Sequence, residues 1–90
     1  MSKFDRVVYI KREHLGNTEY GVYAAIGEKL YFRWVMDSER RLSKISARSE
    51  TLDSRIKRNN FAQVKRCEVI KYLRTQGRVL PKPDEWATPP

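Results

Sequence analysis

Alternation of apolar and polar residues in the first 36 positions predicts three β-strands. β-Branched and aromatic residues, which favour strands, are concentrated at 4–12, 20–26 and 30–36. In the third strand the two-residue period separates the side chains into two faces. These faces are Leu30, Phe32, Trp34 and Met36 on one side, and Tyr31, Arg33 and Val35 on the other. The turn at Gly16 and Asn17 and the tight link at 27–29 are short, so the pattern predicts an antiparallel meander.

A helical spacing of apolar residues replaces this alternation after residue 37. Asp37 and Ser38, followed by Glu39, are typical of a helix start. The apolar residues beyond this start are Leu42, Ile45, Leu52 and Ile56. Such positions line one side of a helix, so the sequence predicts an amphipathic first helix over about 39–56, which the serine-rich segment 46–51 could break.

A second helix is predicted over about 61–76 by its apolar periodicity. Asn60 is suited to the N-cap position, and Gln63 three residues later completes a capping box. Gly77 is suited to the left-handed position after the helix, and Val79 is expected to fold back as a hydrophobic cap. Apolar residues cover a wide arc of this helix, which predicts contact with the sheet and with a further surface.

These elements predict an α+β fold, in which a three-stranded antiparallel meander is followed by two helices on one face and an extended C-terminal tail. Residues 1–80 are expected to form a single domain, because a chain of 90 residues suffices for one core. The segment 81–90 contains all four prolines, which favour an extended chain. Trp86 could anchor this tail on its own domain or on a second copy, or it could serve as a hook for another protein.

Composition narrows the class of protein. No run of about 18 apolar residues is present, so no membrane-spanning helix and no membrane partner are expected. The N-terminus lacks the apolar stretch of a signal peptide, which favours a cytoplasmic location. Cys67, the single cysteine, excludes an internal disulfide and a cysteine-based zinc cluster, and we expect it to be a small, partly buried hydrophobic residue.

Charge is the most informative chemical feature. The formal net charge is +8, and the segment 37–78 holds twelve Lys and Arg residues against five acidic ones. Because like charges repel in a compact chain, such an excess is most readily explained by a polyanionic partner, of which nucleic acid is the commonest. We expect phosphate contacts from a basic helical face comprising Arg40, Arg41, Lys44, Arg48, Arg55, Lys57, Arg58, Lys65 and Arg66.

Aromatic residues of the sheet extend this hypothesis to bases. Tyr23 and Tyr31 are expected on one face together with Arg33, where the tyrosines could stack unpaired bases and Arg33 could touch bases or ribose. A dimer interface would use the same tyrosines equally well. A homodimer is expected, since the core is small and the second helix is apolar over a wide arc.

Catalytic chemistry has little support in the sequence. Glu13 and His14 are adjacent but have neither a second histidine nor an evident nucleophile. No glycine-rich phosphate loop is present. We therefore expect no enzyme activity, no metal site and no cofactor.

Small size, concentrated basic charge and strands followed by helices together give a resemblance to a known group. The chain resembles the small basic early proteins of T-even-type bacteriophages, among them RNA-binding proteins that inhibit toxin–antitoxin systems. The resemblance implies a non-enzymatic RNA-binding protein of weak sequence preference, which acts in the host cytoplasm against a defence or toxin system. Two alternatives stay open: a protein inhibitor or adaptor that docks on a host enzyme, and a small DNA-binding regulator.

Overall fold

A computed structural model describes residues 3–37, 40–45 and 52–89 of the chain. Within these ranges the fold is α+β, with a five-stranded antiparallel sheet and two helices. The strands are β1 (Arg6–His14), β2 (Asn17–Ile26), β3 (Lys29–Trp34), β4 (Ser43–Ile45) and β5 (Ala62–Val64). The helices are α1 (Leu52–Arg58) and α2 (Arg66–Thr75), and a 3₁₀ turn covers Pro83–Glu85. The sheet order β4-β3-β2-β1-β5 places the two three-residue strands at the edges.

The predicted meander of β1, β2 and β3 is confirmed, with a longer first hairpin than expected. The β1–β2 ladder continues to the pair of His14 with Asn17, and so includes the polar residues that were expected to lie between strands. Leu15 and Gly16 have φ angles of 52° and 79°. Two positive φ angles are what a two-residue type I′ loop requires, and such a loop matches the twist of the flanking strands.

The predicted first helix is wrong over Ser43–Ile45, which form β4 and pair with β3. Leu42 and Ile45 are three residues apart, and this odd separation places them on opposite faces of an extended chain. Leu42 is accordingly buried among the core residues of one sheet face, and Ile45 packs against the core of the other. Leu52 and Ile56 do share one buried face of α1, as predicted. Residues 39 and 46–51 of that predicted helix lie outside the described residues.

Asn60 ends α1 and does not begin α2. Its φ angle is 57°, and the N–H groups of Asn60 and Phe61 donate to the carbonyls of Lys57 and Ile56 at 3.0 and 3.1 Å. This is the Schellman arrangement, completed by packing of Phe61 in the same apolar cluster as Ile56. The expected capping box is therefore wrong, since Gln63 lies in β5 and α2 begins only after it.

The expected end of the second helix is confirmed at Gly77. Its φ angle is 68°, and the N–H of Arg78 donates to the carbonyl of Leu73 at 2.9 Å. Val79 does not fold back as a cap, because it is 82% exposed. Leu80 is buried in its place, so the chain returns along α2 one residue later than predicted.

The two helices cover opposite faces of the sheet, and the prediction that both pack on one face is wrong. On one face, Val69 and Leu73 of α2 pack in a cluster that includes Tyr9, Val22 and Tyr31. On the other, α1 packs in a second cluster, whose other buried members are Val8, Ile10, Tyr23 and Leu30. Consecutive residues of β1 are buried on both sides, so each face requires its own apolar cover.

The C-terminal segment folds onto the α2 face. Trp86 is 2% exposed and belongs to the same core cluster as Leu80. Ala87 forms a parallel bridge with Arg41. Its carbonyl accepts a hydrogen bond from the N–H of Leu42 at 2.7 Å, and its N–H donates to the carbonyl of Arg40 at 2.8 Å. Of the roles left open for Trp86, the structure shows an anchor on its own domain.

Candidate nucleic-acid interface

A cationic concave surface lies between α2 and the chain that returns along it. We call it the α2 groove. Its volume is about 350 Å³, and its lining residues are Arg66, Ile70, Arg74, Arg78, Val79, Leu80, Lys82 and Glu85. Four of these eight side chains are cationic and one is anionic, so the groove has the charge that a phosphate chain requires.

Helix geometry and the turn at Gly77 bring the groove cations together. Arg66, Ile70 and Arg74 are four residues apart and therefore form one stripe along α2. The left-handed Gly77 then reverses the chain, and burial of Leu80 holds the returning segment against the core. As a result, Arg78 and Lys82 lie across the groove from the helical stripe.

Neutral acceptors hold two of the groove cations. Arg66 Nη2 donates to the carbonyl of Pro81 at 3.3 Å, and Arg78 Nη1 donates to the carbonyl of Met36 at 2.8 Å. In the part of the chain that the structure describes, none of the four groove cations forms an ion pair. Carbonyl oxygens position a guanidinium without neutralising its charge, so both groups keep donors for a phosphate.

Glu85 is the one carboxylate of the α2 groove, and its oxygens are directed to other groups. Oε1 accepts a hydrogen bond from the backbone N–H of Lys82 at 2.7 Å. Oε2 lies 3.9 Å from Nη1 of Arg40. The carboxylate thereby stabilises the tail turn and leaves the side chains of Arg74 and Lys82 to the groove.

A second cleft continues this basic surface. It measures about 430 Å³ and is lined by Val35, Asp37, Arg40, Arg78, Val79, Pro81 and Trp86. Arg78 and Val79 line both depressions, so the cleft and the α2 groove adjoin. Arg40, one of the predicted phosphate contacts, thus extends the groove beyond Arg78.

The predicted phosphate contacts do not form one continuous strip. Only Arg40 and Arg66 line the α2 groove and its adjoining cleft, and Lys65 is exposed directly before α2. The remaining predicted contacts are Arg55, Lys57 and Arg58 on α1, Arg41 and Lys44 at the β4 edge, and Arg48, which lies outside the described residues. A continuous strip requires these residues to lie on neighbouring helix faces, but β4 lies at one edge of the sheet and α1 packs on one of its faces.

The residues predicted to contact bases are placed differently from expected. Tyr23 and Tyr31 are 3% and 6% exposed and lie on opposite faces of the sheet, so neither offers a free ring for stacking. Arg33 donates to the carboxylate of Asp37 at 2.6 Å, to the Ser43 hydroxyl at 3.3 Å and to the Arg41 carbonyl. Arg33 therefore fastens β3 to the chain entering β4, a role that leaves it poorly placed to contact bases.

Sequence reasoning missed Arg74, Arg78 and Lys82 as members of the site. The four-residue spacing of Arg66, Ile70 and Arg74 was a readable signal for the helical half of the groove. No local signal placed Arg78 and Lys82 opposite them, because their position depends on how the tail docks.

Outside the α2 groove, acidic residues form ion pairs with arginine side chains of the sheet. Arg6 donates through both Nη atoms to the carboxylate of Asp53 at 2.9 and 3.0 Å, which ties β1 to α1. These hydrogen bonds and the charge of Arg6 lower the pKa of Asp53 below its ordinary value of 3.8. Arg12 pairs with Glu19 through a single contact, in which Nε donates to Oε1 at 2.8 Å.

Tyr20 and Glu68 join the sheet to α2. The Tyr20 hydroxyl donates to Oε2 of Glu68 at 3.0 Å, and Lys11 Nζ lies 3.8 Å from the same oxygen. Burial, followed by the hydrogen bond to Glu68, raises the pKa of Tyr20 above its ordinary value of 10.0. Because Glu68 is directed to the sheet, it does not offset the cations of the α2 groove.

The described residues give little support for a metal site or a membrane-spanning helix. Within residues 3–37, 40–45 and 52–89, no three His, Cys, Asp or Glu side chains are grouped so that they could hold a metal ion. Cys67 is exposed, contrary to the expectation that it would be partly buried. None of the described helices has the length and apolar character needed to cross a membrane.

The comparisons with known proteins give no relative from which a function could be transferred. No protein-family model, no curated protein and no solved structure matches this chain. The resemblance to small bacteriophage early proteins therefore stays a prediction, and the α2 groove is the basis of the function proposed below.

Proposed function

We propose that this protein binds RNA through the α2 groove without catalysing a reaction. The observation that carries the proposal is the convergence of Arg66, Arg74, Arg78 and Lys82 on one groove with a single carboxylate. Neutralisation of phosphates by such cations releases counterions, which supplies most of the affinity in sequence-independent binding. The expected ligand is a phosphate backbone, and the expected sequence preference is weak.

Apolar parts of the groove fit the same ligand. Ile70 and Leu80 line its wall, and Val79 is exposed at its junction with the neighbouring cleft. Nucleic acid presents sugar faces between its charged phosphates, and apolar side chains can pack against these faces. RNA with unpaired bases is favoured over duplex DNA because partly exposed aromatic rings on the α1 face, among them Trp34 and Phe61, suit unpaired bases.

The competing function, inhibition of a host enzyme by docking, loses Trp86 as its anchor. Trp86 was a candidate for the buried anchor in such a complex, but it is already 2% exposed within its own core. Trp34 stays partly exposed, so capture of one host protein is retained as an outcome that would contradict RNA binding.

A salt titration of RNA binding tests the proposal. The measurement is fluorescence anisotropy of a short labelled single-stranded RNA at a series of sodium chloride concentrations. With four groove cations engaged, log Kd should rise with log salt at a slope of roughly 2.8, at about 0.7 per phosphate contact on a single strand. The double variant Arg74→Gln/Lys82→Gln should bind more weakly and lower that slope by about 1.4.

The matched control is Lys57→Gln/Lys71→Gln, which removes two charges outside the α2 groove. Lys71 lies on α2 but does not line the groove, and Lys57 lies on α1. We expect the control to change affinity and slope less than the groove variant. Equal effects of the two double variants would contradict the assignment of the groove, and binding that is insensitive to salt would contradict the proposed function.

A further inference from the structure

A second depression lies where α1 ends and β5 begins, away from the α2 groove. We call it the Phe61 pocket. Its volume is about 400 Å³, and its lining residues are Lys11, Arg12, Glu13, Asn59, Asn60, Phe61 and Ala62. An aromatic ring, a guanidinium and two side-chain amides meet there, and these are the groups that recognise an unpaired base.

The aromatic part of the pocket is a supported platform. Phe61 meets Trp34 edge to face, with ring centroids 5.9 Å apart and an interplanar angle of 80°. Trp34 meets Phe32 in the same manner at 4.8 Å and 89°. All three rings are partly buried and pack against the core of the α1 face. Phe61 is therefore held in a fixed orientation and still reaches the surface, as a stacking platform requires.

Arg12 joins this platform to the pocket. Its guanidinium carbon lies 4.2 Å from the centroid of the Trp34 ring, and the same side chain lines the pocket. Glu19 accepts a hydrogen bond from Arg12 Nε at 2.8 Å, which fixes the plane of the guanidinium. A planar guanidinium stacked on tryptophan offers a flat surface and its remaining N–H donors to a nucleotide.

Asn59 and Asn60 supply hydrogen-bonding groups at a fixed position. The Schellman turn holds their backbone, and Asn59 Nδ2 donates to the carbonyl of Arg55 at 2.8 Å. A side-chain amide has both a donor and an acceptor, which can complement the edge of a base. Rigid placement matters here, because the ordering entropy of these groups is already lost in the free protein.

We infer that the Phe61 pocket holds one unpaired base of the RNA whose phosphates occupy the α2 groove. This inference rests on the proposed function and specifies its ligand as single-stranded RNA. The two sites are close along the chain, since Ala62 lines the pocket and Arg66 lines the groove. The extended residues between them span at most about 13 Å, and the exposed Lys65 lies on this connection.

Two variants test the pocket without opening the core. Phe61→Leu keeps an apolar contact with Ile56 at the end of α1 and removes the aromatic ring. Asn60→Gly keeps the left-handed backbone, which has a φ of 57°, and removes the amide. Thermal unfolding of both variants verifies that the fold is retained.

The measurement compares the affinity of each variant for a single-stranded RNA and for a fully paired RNA duplex of the same length. For Phe61→Leu, we expect the single strand to bind roughly 5- to 150-fold more weakly, as when one base–aromatic stack is lost. For Asn60→Gly, we expect a loss of roughly 2- to 12-fold, as when one hydrogen bond is lost. Both variants should bind the duplex like the wild type, because its bases are paired and cannot enter the pocket.

The outcomes separate this inference from the proposed function. If the wild type binds both RNAs with a strong salt dependence and the variants match it on the single strand, the base pocket is overturned and the α2 groove stands. Equal losses on single strand and duplex also overturn the pocket, since they indicate a general structural effect. If the wild type binds neither RNA, the proposed function fails and the inference fails with it.

Discussion

Replacement of Gly21 by alanine tests the packing that supports the aromatic platform. Gly21 lies in β2 beneath the ring of Phe32, and a Cβ atom there would lie 2.6 Å from Cε1 and Cζ of that ring. It would also lie 3.1 Å from Cδ1 of Ile10. Carbon atoms in contact are normally about 3.5–4.0 Å apart, so the ring must move by about 1 Å.

Neighbouring rings oppose that movement. The centroids of Tyr23 and Trp34 lie 4.6 and 4.8 Å from that of Phe32. Overpacking of this kind lowers the free energy of unfolding by about 1–3 kcal/mol. Alanine also reduces the conformational entropy of the unfolded chain, which raises the free energy of unfolding by about 0.4–1 kcal/mol. We therefore expect Gly21→Ala to lower the free energy of unfolding by about 1–2 kcal/mol, or the melting temperature by roughly 4–16 °C.

Urea unfolding followed by tryptophan fluorescence measures this change. Phe32→Leu provides the matched background, because leucine lacks the Cε1 and Cζ atoms that cause the clash. In that background, Gly21→Ala should be nearly neutral. A Gly21→Ala midpoint at or above the wild-type value would refute the reasoning, as would an equal loss in the Phe32→Leu background.

Three further predictions concern the rest of the fold. Trp86→Ala should lower the free energy of unfolding in urea by about 3–5 kcal/mol, and an unchanged midpoint would contradict the anchored tail. The stability advantage of the wild type over Asp53→Asn should be present above pH 3.8 and disappear as the pH falls through the lowered pKa of Asp53; an advantage that is constant with pH counts against the Arg6 pair. Tyr20 has a raised pKa, so the stability that its hydroxyl contributes should be fully present below pH 10.0 and lost as the pH rises through that pKa. The melting temperature of Tyr20→Phe should therefore approach that of the wild type in alkaline solution, and a difference that stays constant with pH would contradict this.

Local patterns in the sequence were sufficient to predict the meander and the end of α2. Alternation in β3 and the positive φ of Gly16 and Gly77 follow from side-chain period and chain sterics, which act over a few residues. Residues 43–45 were not predictable in this way. The three-residue spacing of Leu42 and Ile45 places them on the same face of a helix but on opposite faces of a strand, and both arrangements can be buried. Pairing of β4 with β3 decides between them, and that pairing is a non-local interaction.

Asn60 shows the same limit at a helix boundary. Asparagine is favoured both before a helix and in the left-handed position after one. The contact between Phe61 and Ile56 selects the second role, and it forms only once α1 is packed on the sheet. Sequence alone could not distinguish the two.

Little of the geometry of the candidate site could be predicted from the sequence. The basic charge predicts a polyanionic ligand, and of the predicted phosphate contacts Arg40 and Arg66 line the α2 groove and its adjoining cleft. Burial of Tyr31 depends on its cluster with α2 and Trp86, which no pattern around residue 31 could reveal. Arg78 and Lys82 join the groove only because Gly77 and Leu80 turn the tail back along α2.

Nuclear magnetic resonance can locate the surface of the protein that contacts RNA. Amide chemical shifts are recorded while a short single-stranded RNA is added to the ¹⁵N-labelled wild-type protein. We predict that the largest changes lie in 66–82, with Arg74, Arg78 and Lys82 among them. Changes centred on Lys57 and Arg58 of α1, with 66–82 unaffected, would contradict the assignment of the α2 groove as the RNA-binding surface.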